Sequence, residues 1–145
     1  MNRELKFRLW NNVDKEWDSP AIVEVFSDDG ILRPLYNDDT GGDWRNKYVI
    51  TQYTGLMDKN GKEIYEGDIV KVKRCFARPT VKEGKLDYNF TEGDVEVGQV
   101  MYLWNGGLAV SYEHIRGDDF DTDILSNRFR VEIIGNIHQN PELLK

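Results

Sequence analysis

At 145 residues the chain has the length of one domain, and its formal net charge of −7 gives it a field that repels phosphate backbones, which disfavours non-specific nucleic-acid binding unless a local patch overrides it. Hydrophobic residues at 39% and aromatic residues at 12% exclude a disordered chain, and no apolar run approaches the roughly 18 residues of a membrane span. The opening residues 1–8 lack the apolar segment of a signal peptide, and the single Cys75 cannot form an internal disulfide, so the chain reads as a cytosolic protein.

Along the chain, Leu5, Phe7 and Leu9 alternate with Lys6 and Arg8, the period of a half-buried strand, and residues 11–15 turn it before Trp17. Residues 21–26 form a β-branched run closed by Asp28-Asp29-Gly30, residues 37–43 read as a loop, and Tyr48 to Tyr53 as a strand. Asn60-Gly61 is the dipeptide of a two-residue type I′ turn, in which both residues need positive φ, so Leu56-Met57 is expected to pair on Ile64-Tyr65. A second turn at Glu66-Gly67-Asp68 launches a strand over residues 69–73. Residues 74–93 break the pattern with Pro79, Gly84 and many charges and read as a long, partly mobile excursion. Residues 95–104 and 108–112 form a hairpin about Asn105-Gly106-Gly107. Phe120, Ile124 and Leu125, with aspartates before them and Arg128 after, suggest a short helix. Residues 131–137 are the closing strand, and Asn140-Pro141 opens a helical turn carrying Leu143 and Leu144.

Six or more short strands with turns at glycines argue an all-β, mainly antiparallel fold: one β-barrel domain over residues 1–145, with long loops and one or two short helices. Residues 1–47 supply N-terminal strands and a loop, and residues 48–145 the core barrel with its excursion at 74–93. The order of turn, strand, hairpin, short helix and final strand is that of an SH3-like barrel.

Three stretches carry a resemblance: residues 52–70, with Asp58-Lys59-Asn60-Gly61 and Glu66-Gly67-Asp68; residues 131–144, with Ile134-Gly135-Asn136-Ile137-His138; and the opening strand from Arg3 to Trp10. Together they resemble the YopX family of small proteins encoded mostly by phages and prophages of Gram-positive bacteria. The resemblance implies a fold and a genetic setting, and no catalytic residue. Cys75 to Asp94 and Glu113 to Arg130 match nothing in it.

Enzymatic chemistry finds little support. Asp119, Asp121 and Asp123 have the spacing of the first ligands of a calcium loop, but the glycine of that loop falls on Ile124 and its closing glutamate on Arg130, so no metal is expected. Cys75, His114 and His138 lie in no catalytic or zinc motif, and no cofactor is implied. Charge segregation is what remains: Lys71, Lys73, Arg74, Arg78, Lys82 and Lys85 fall in a stretch whose only acid is Glu83, interleaved with Phe76 and nearby Tyr88 and Phe90. Such a tongue is a candidate partner-binding element, for nucleic acid or for the acidic segment Asp118 to Asp123 of the same or a neighbouring chain; a solvated loop is its plain alternative. The chain therefore reads as a non-catalytic binding or assembly module for a phage or host partner, the alternative being a small enzyme whose site the sequence conceals. The opposite charges of the two segments and the apolar tail Leu143-Leu144 lead to the expectation of a homo-oligomer.

Overall fold

A computed structural model describes residues 5–18, 23–25, 32–34, 47–103, 107–111 and 131–145. The strands are β1 (Phe7–Asn11), β2 (Glu16–Asp18), β3 (Val23–Val25), β4 (Leu32–Pro34), β5 (Tyr48–Met57), β6 (Glu63–Tyr65), β7 (Asp68–Lys82), β8 (Lys85–Tyr102), β9 (Leu108–Ser111) and β10 (Val131–Asn136), followed by a single 3₁₀ turn, η1 (Pro141–Leu144). All pairings are antiparallel: one four-stranded sheet in the order β2-β1-β5-β6, a second in the order β10-β7-β8-β9, and the pair β3-β4. The fold is all-β, curled as a half-barrel. The expected helix over 118–129 lies outside the described residues.

The core is where alternating β-branched residues converge. Val70 and Val72 of β7, Val100 of β8, Val110 of β9, Val131 of β10 and Ile64 of β6 are all fully buried, with Leu56, Leu108 and Ile133 packed against them. The first sheet adds Leu9, Trp10, Tyr48, Tyr53 and Tyr65. Of the four tryptophans, Trp10 is a buried anchor and Trp17 half-buried, whereas Trp44 and Trp104 lie outside the described residues.

Two turns differ from expectation. At Asn60-Gly61 only Gly61 has positive φ, at +79°; the turn closes one residue earlier, with the Gly61 N–H donating to the Asp58 carbonyl at 3.0 Å. The register follows, pairing Met57 with Glu63 and Tyr53 with Tyr65 across a bulge at Gly55. The Asp58 carboxylate explains the choice, because it accepts from the N–H groups of Asn60 and Lys62, both at 2.9 Å, and holds the loop open to that width. The two-residue turn with both φ values positive lies elsewhere, at Glu83 (+52°) and Gly84 (+75°).

Glu83-Gly84 joins β7 to β8 and corrects the second expectation. Residues 74–93 are not an irregular excursion but most of a long β-ribbon, paired residue by residue from Cys75–Glu92 to Lys82–Lys85 beyond an irregularity between Lys73 and Cys75. Pro79 is accommodated because a two-stranded ribbon leaves each strand one side free of ladder bonds. Strand β10 accompanies β7 only to Val72, and β9 accompanies β8 only from Gln99, so among the described residues the ribbon continues alone past both.

Candidate interaction site

Two clusters of polar side chains meet the description of a functional site, and each ties separate elements of the fold together. Asp58, 1% exposed, uses its second carboxylate oxygen to accept the Ile133 N–H at 3.1 Å, while the Lys59 N–H donates to the Val131 carbonyl at 2.9 Å. The β5–β6 loop is thus tied to β10. Burial by itself would raise the Asp58 carboxyl, but the N–H groups of Ile133, Lys62 and Asn60 outweigh it and hold the group below its ordinary range.

The second cluster joins the two sheets through Arg8 of β1. Arg8 Nη2 donates to Asp68 Oδ1 at 2.8 Å, and its guanidinium lies between the rings of Trp17 and Tyr65, 4.3 and 4.2 Å from their centroids. The other Asp68 oxygen accepts the Tyr65 N–H at 2.8 Å, closing the Glu66-Gly67 turn. Burial pushes the Asp68 carboxyl up, against the pull of Arg8 and of that N–H. His138 stacks on Trp10 at 5.5 Å and meets the edge of Trp17, and burial, followed by the charges of Arg8 and Lys15, pushes its imidazole down. Asn136 accepts the His138 and Gln139 N–H groups at 3.0 and 2.9 Å, and Gln139 receives bonds from Asn136 and Trp17. Arg8 Nε, Thr51 Oγ1 and His138 Nε2 are buried without hydrogen-bond partners among the described residues. A guanidinium held between two rings and a stacked imidazole pack β1 against Trp17, Tyr65 and Trp10.

Beside this cluster, Lys6 binds Glu63 at 2.5 Å and Tyr65 Oη donates to Glu63 at 3.0 Å. The Lys6 hydrogen bond, set against burial, holds Glu63 below its ordinary value. At the far end of β10, Gly135 receives η1 so closely that a Cβ there would stand 2.6 Å from Asn140 Oδ1 and 2.9 Å from Leu143 Cδ1. The tail of this chain thus packs on its own β10, though Leu143 stays 37% exposed. Asn140 lies at the start of η1 without a side-chain cap bond.

The ribbon carries the expected cations. Directly paired residues share a face, so Arg78–Asn89, Thr80–Asp87 and Lys82–Lys85 form one side, while Pro79–Tyr88 and Val81–Leu86 form the other. Lys71, Lys73, Arg78, Lys82 and Lys85 are exposed. The basic tongue is less basic than the one-strand reading implied, because β8 returns with Asp87, Glu92, Asp94 and Glu96: residues 71–97 hold six cations and, with Glu83, five acids. Lys73 pairs with Glu92 at 2.6 Å and Lys82 with Asp87 at 3.5 Å. Sequence reasoning missed the opposite, apolar side. Val81 is 73% exposed, Leu86 66% and Tyr88 48%. The alternation of Lys85, Asp87 and Asn89 with Leu86, Tyr88 and Phe90 was the signal that would have found it.

Cys75 sits in β7, opposite Glu92. His114, the acidic segment 118–123 and the calcium-like aspartates lie outside the described residues. Among the described residues no three His, Cys, Asp or Glu are grouped to hold a metal ion, and no helix is long and apolar enough to cross a membrane.

Among the described residues, then, the chain is an antiparallel all-β body fastened by the Arg8–Asp68 ion pair and the buried Asp58, from which the two-stranded ribbon extends. The chain belongs to the YopX family: the family profile described as YopX protein matches residues 6–145. Among solved structures it is similar to the crystal structure of protein EF1440 from Enterococcus faecalis, at 26% identity and a TM-score of 0.52, over 99% of this chain and 100% of that one. A search of curated proteins finds no match.

Proposed function

We propose that this YopX-family protein is a non-catalytic binding or assembly module that acts through its β7–β8 ribbon, in the cytosol of a host carrying it on a phage or prophage. The observation that supports this is the ribbon itself. Its outer length, from Arg78 to Asn89, supplies none of the buried cluster of Ile64, Val70, Val72, Val100, Val110 and Val131, which draws on β7 and β8 only nearer their other ends, yet the chain invests a long run of both strands in it. A two-stranded ribbon alone in water is marginal, so its two differently coloured faces have a use outside the body. The near balance of charge along residues 71–97 and the net charge of −7 favour a protein partner over nucleic acid. Arg78, Lys82 and Lys85, with Lys71, Lys73 and Arg74 nearer the base, are the residues that would engage it. The alternative of a small enzyme draws nothing from Arg8, Asp68 and His138, whose reactive groups are stacked or paired.

The test is capture from lysogenic host lysate by the intact protein and by a variant carrying Arg78→Glu, Lys82→Glu and Lys85→Glu, each with and without nuclease. A partner retained after nuclease and lost with the variant supports the reading. A partner retained equally by both removes the basic face from it, and one lost on nuclease treatment transfers the module to nucleic acid.

A further inference from the structure

We propose that Asn60 is a site of spontaneous covalent modification, in which the backbone nitrogen of Gly61 displaces the Asn60 side-chain amide, and that the Asp58 fastening sets its pace. The reaction asks three things of an asparagine: a following residue without a side chain, an unengaged carboxamide, and room about the attacking nitrogen. Asn60 has all three. Both Asn60 and Gly61 are exposed, no bond among the described residues engages the Asn60 carboxamide, and nothing lies within 4 Å of where a Gly61 Cβ would stand. The other asparagines of the described residues differ. Asn12, Asn89 and Asn136 precede Val13, Phe90 and Ile137, whose side chains crowd the nitrogen; the Asn11 carboxamide is held by Asp14 and the Val13 N–H; and Asn140 precedes Pro141, which has no N–H to lose.

The chemistry balances with water as the only co-reactant. The Gly61 N–H gives its proton to a solvent base, the nitrogen attacks Asn60 Cγ, and the carboxamide nitrogen leaves as ammonia, closing a succinimide ring. Water then adds to either ring carbonyl. Cleavage at the side-chain carbonyl leaves aspartate, and cleavage at the main-chain carbonyl leaves isoaspartate, whose backbone runs through an additional methylene.

The turn restrains the attacking atom. The Gly61 N–H donates to the Asp58 carbonyl at 3.0 Å, and the neighbouring N–H groups of Asn60 and Lys62 are held by Asp58 Oδ1 at 2.9 Å, so the proton is lost only when the loop opens. Opening in turn strains the tie to β10, made by the Ile133 N–H on Asp58 Oδ2, the Lys59 N–H on the Val131 carbonyl and Lys59 Nζ on Glu132 Oε2 at 2.6 Å. The coupling runs both ways. Either product sets a carboxylate close to that of Asp58, and isoaspartate also shifts the Gly61 and Lys62 N–H groups from their acceptors, so a change at an exposed residue loosens a buried joint between the two four-stranded sheets.

Peptide mapping by mass spectrometry of the full-length protein, held in mildly alkaline buffer and sampled over days, tests the inference, with an isoaspartate-specific methyltransferase to distinguish the products. Residue 60 is expected to convert to both products, roughly tenfold or more slowly than in the same chain unfolded in guanidinium chloride, because opening precedes attack. Asp58→Asn, which keeps one acceptor oxygen, is expected to raise the native rate roughly fivefold, read at a temperature where circular dichroism shows the variant folded. In the wild type, amide exchange at Gly61 and conversion of Asn60 are expected to rise in parallel as denaturant is added below the unfolding transition, and in the isoaspartate fraction the Ile133 amide is expected to exchange faster. Asn60 left intact in the folded protein while it converts in denaturant overturns the inference. So does conversion at one rate folded and unfolded, or a native rate that ignores both Asp58→Asn and Gly61 exchange. None of these measurements involves the ribbon, so the functional reading stands or falls separately.

Discussion

At the scale of single residues, the side chains that matter most to stability are charged and buried. Asp58 accepts three N–H groups from two separate parts of the chain, and replacing it with alanine strands all three. Asp58→Ala is therefore expected to cost about 2–4 kcal/mol in urea unfolding, with Asp58→Asn intermediate because one acceptor oxygen survives. The Arg8–Asp68 pair behaves differently, since each partner is costly only when the other remains. Arg8→Met and Asp68→Asn should each destabilise by about 3 kcal/mol, and the double variant by clearly less than the sum; additive costs would show that the pair is not coupled. His138 supplies a pH dependence. Its imidazole is held below the value of 6.5 by burial and by Arg8 and Lys15, so below that value the unfolded chain binds a proton that the folded one refuses. Stability is whole above pH 6.5 and falls as the pH drops below it towards the depressed folded value. Melts between about pH 7.5 and pH 5.5 should show this fall in the wild type and a shallower one in His138→Phe; equal slopes would remove His138 as the source.

At the scale of elements, the turns were legible in the sequence wherever their chemistry is local. Glu66-Gly67-Asp68 was legible, as was the helical turn opened by Pro141, because the constraint belongs to adjacent residues, whereas the cap expected of the Asn140 side chain is not made. Asn60-Gly61 was half legible: the glycine has the expected conformation, but the turn type was decided by the Asp58 side chain, which propensity does not weigh. Gly61→Val still forces a β-branched residue to φ of +79° and is expected to cost about 1–3 kcal/mol, whereas Gly61→Asn is tolerated. Gly84→Val imposes the same strain at +75°, yet it lies at the ribbon tip and should leave the melting temperature of the body unchanged, because opening there is local. Gly135→Ala tests a different constraint, contact instead of conformation. The methyl group must displace Asn140 and Leu143, so η1 is expected to detach, seen as faster proteolysis of residues 141–145.

At the scale of the whole molecule, the strand content and the core were legible, since Val70, Val72, Val100 and Val110 sit in alternating runs. The fastenings were not. Arg8 and Asp68 are 60 residues apart and Asp58 and Ile133 are 75 apart, and no local pattern marks such pairs. The ribbon was misread because Pro79 and the density of charge hid a period of two, and reading one strand without its return made the tongue look more basic than it is. If the ribbon is an arm and not part of the body, replacing residues 75–92 by a two-residue Asn-Gly turn should leave a cooperative melt close to that of the intact chain. Collapse of the fold would show that the arm supports the body.

The long reach of these fastenings also governs when the protein can fold. Strand β7 receives β8 at once, across a two-residue turn, but its other edge, the Asp58 acceptor and the Trp17 indole wait for residues 131–139, the last of these bonds spanning 122 positions. During synthesis the first sheet and the ribbon are therefore made before β10 reaches the outer edge of β7, and that pairing is a slow, non-local step. For a protein made in quantity, the vulnerable species is then the chain that still lacks residues 131–139, with an open valine-rich strand edge, and not the finished fold.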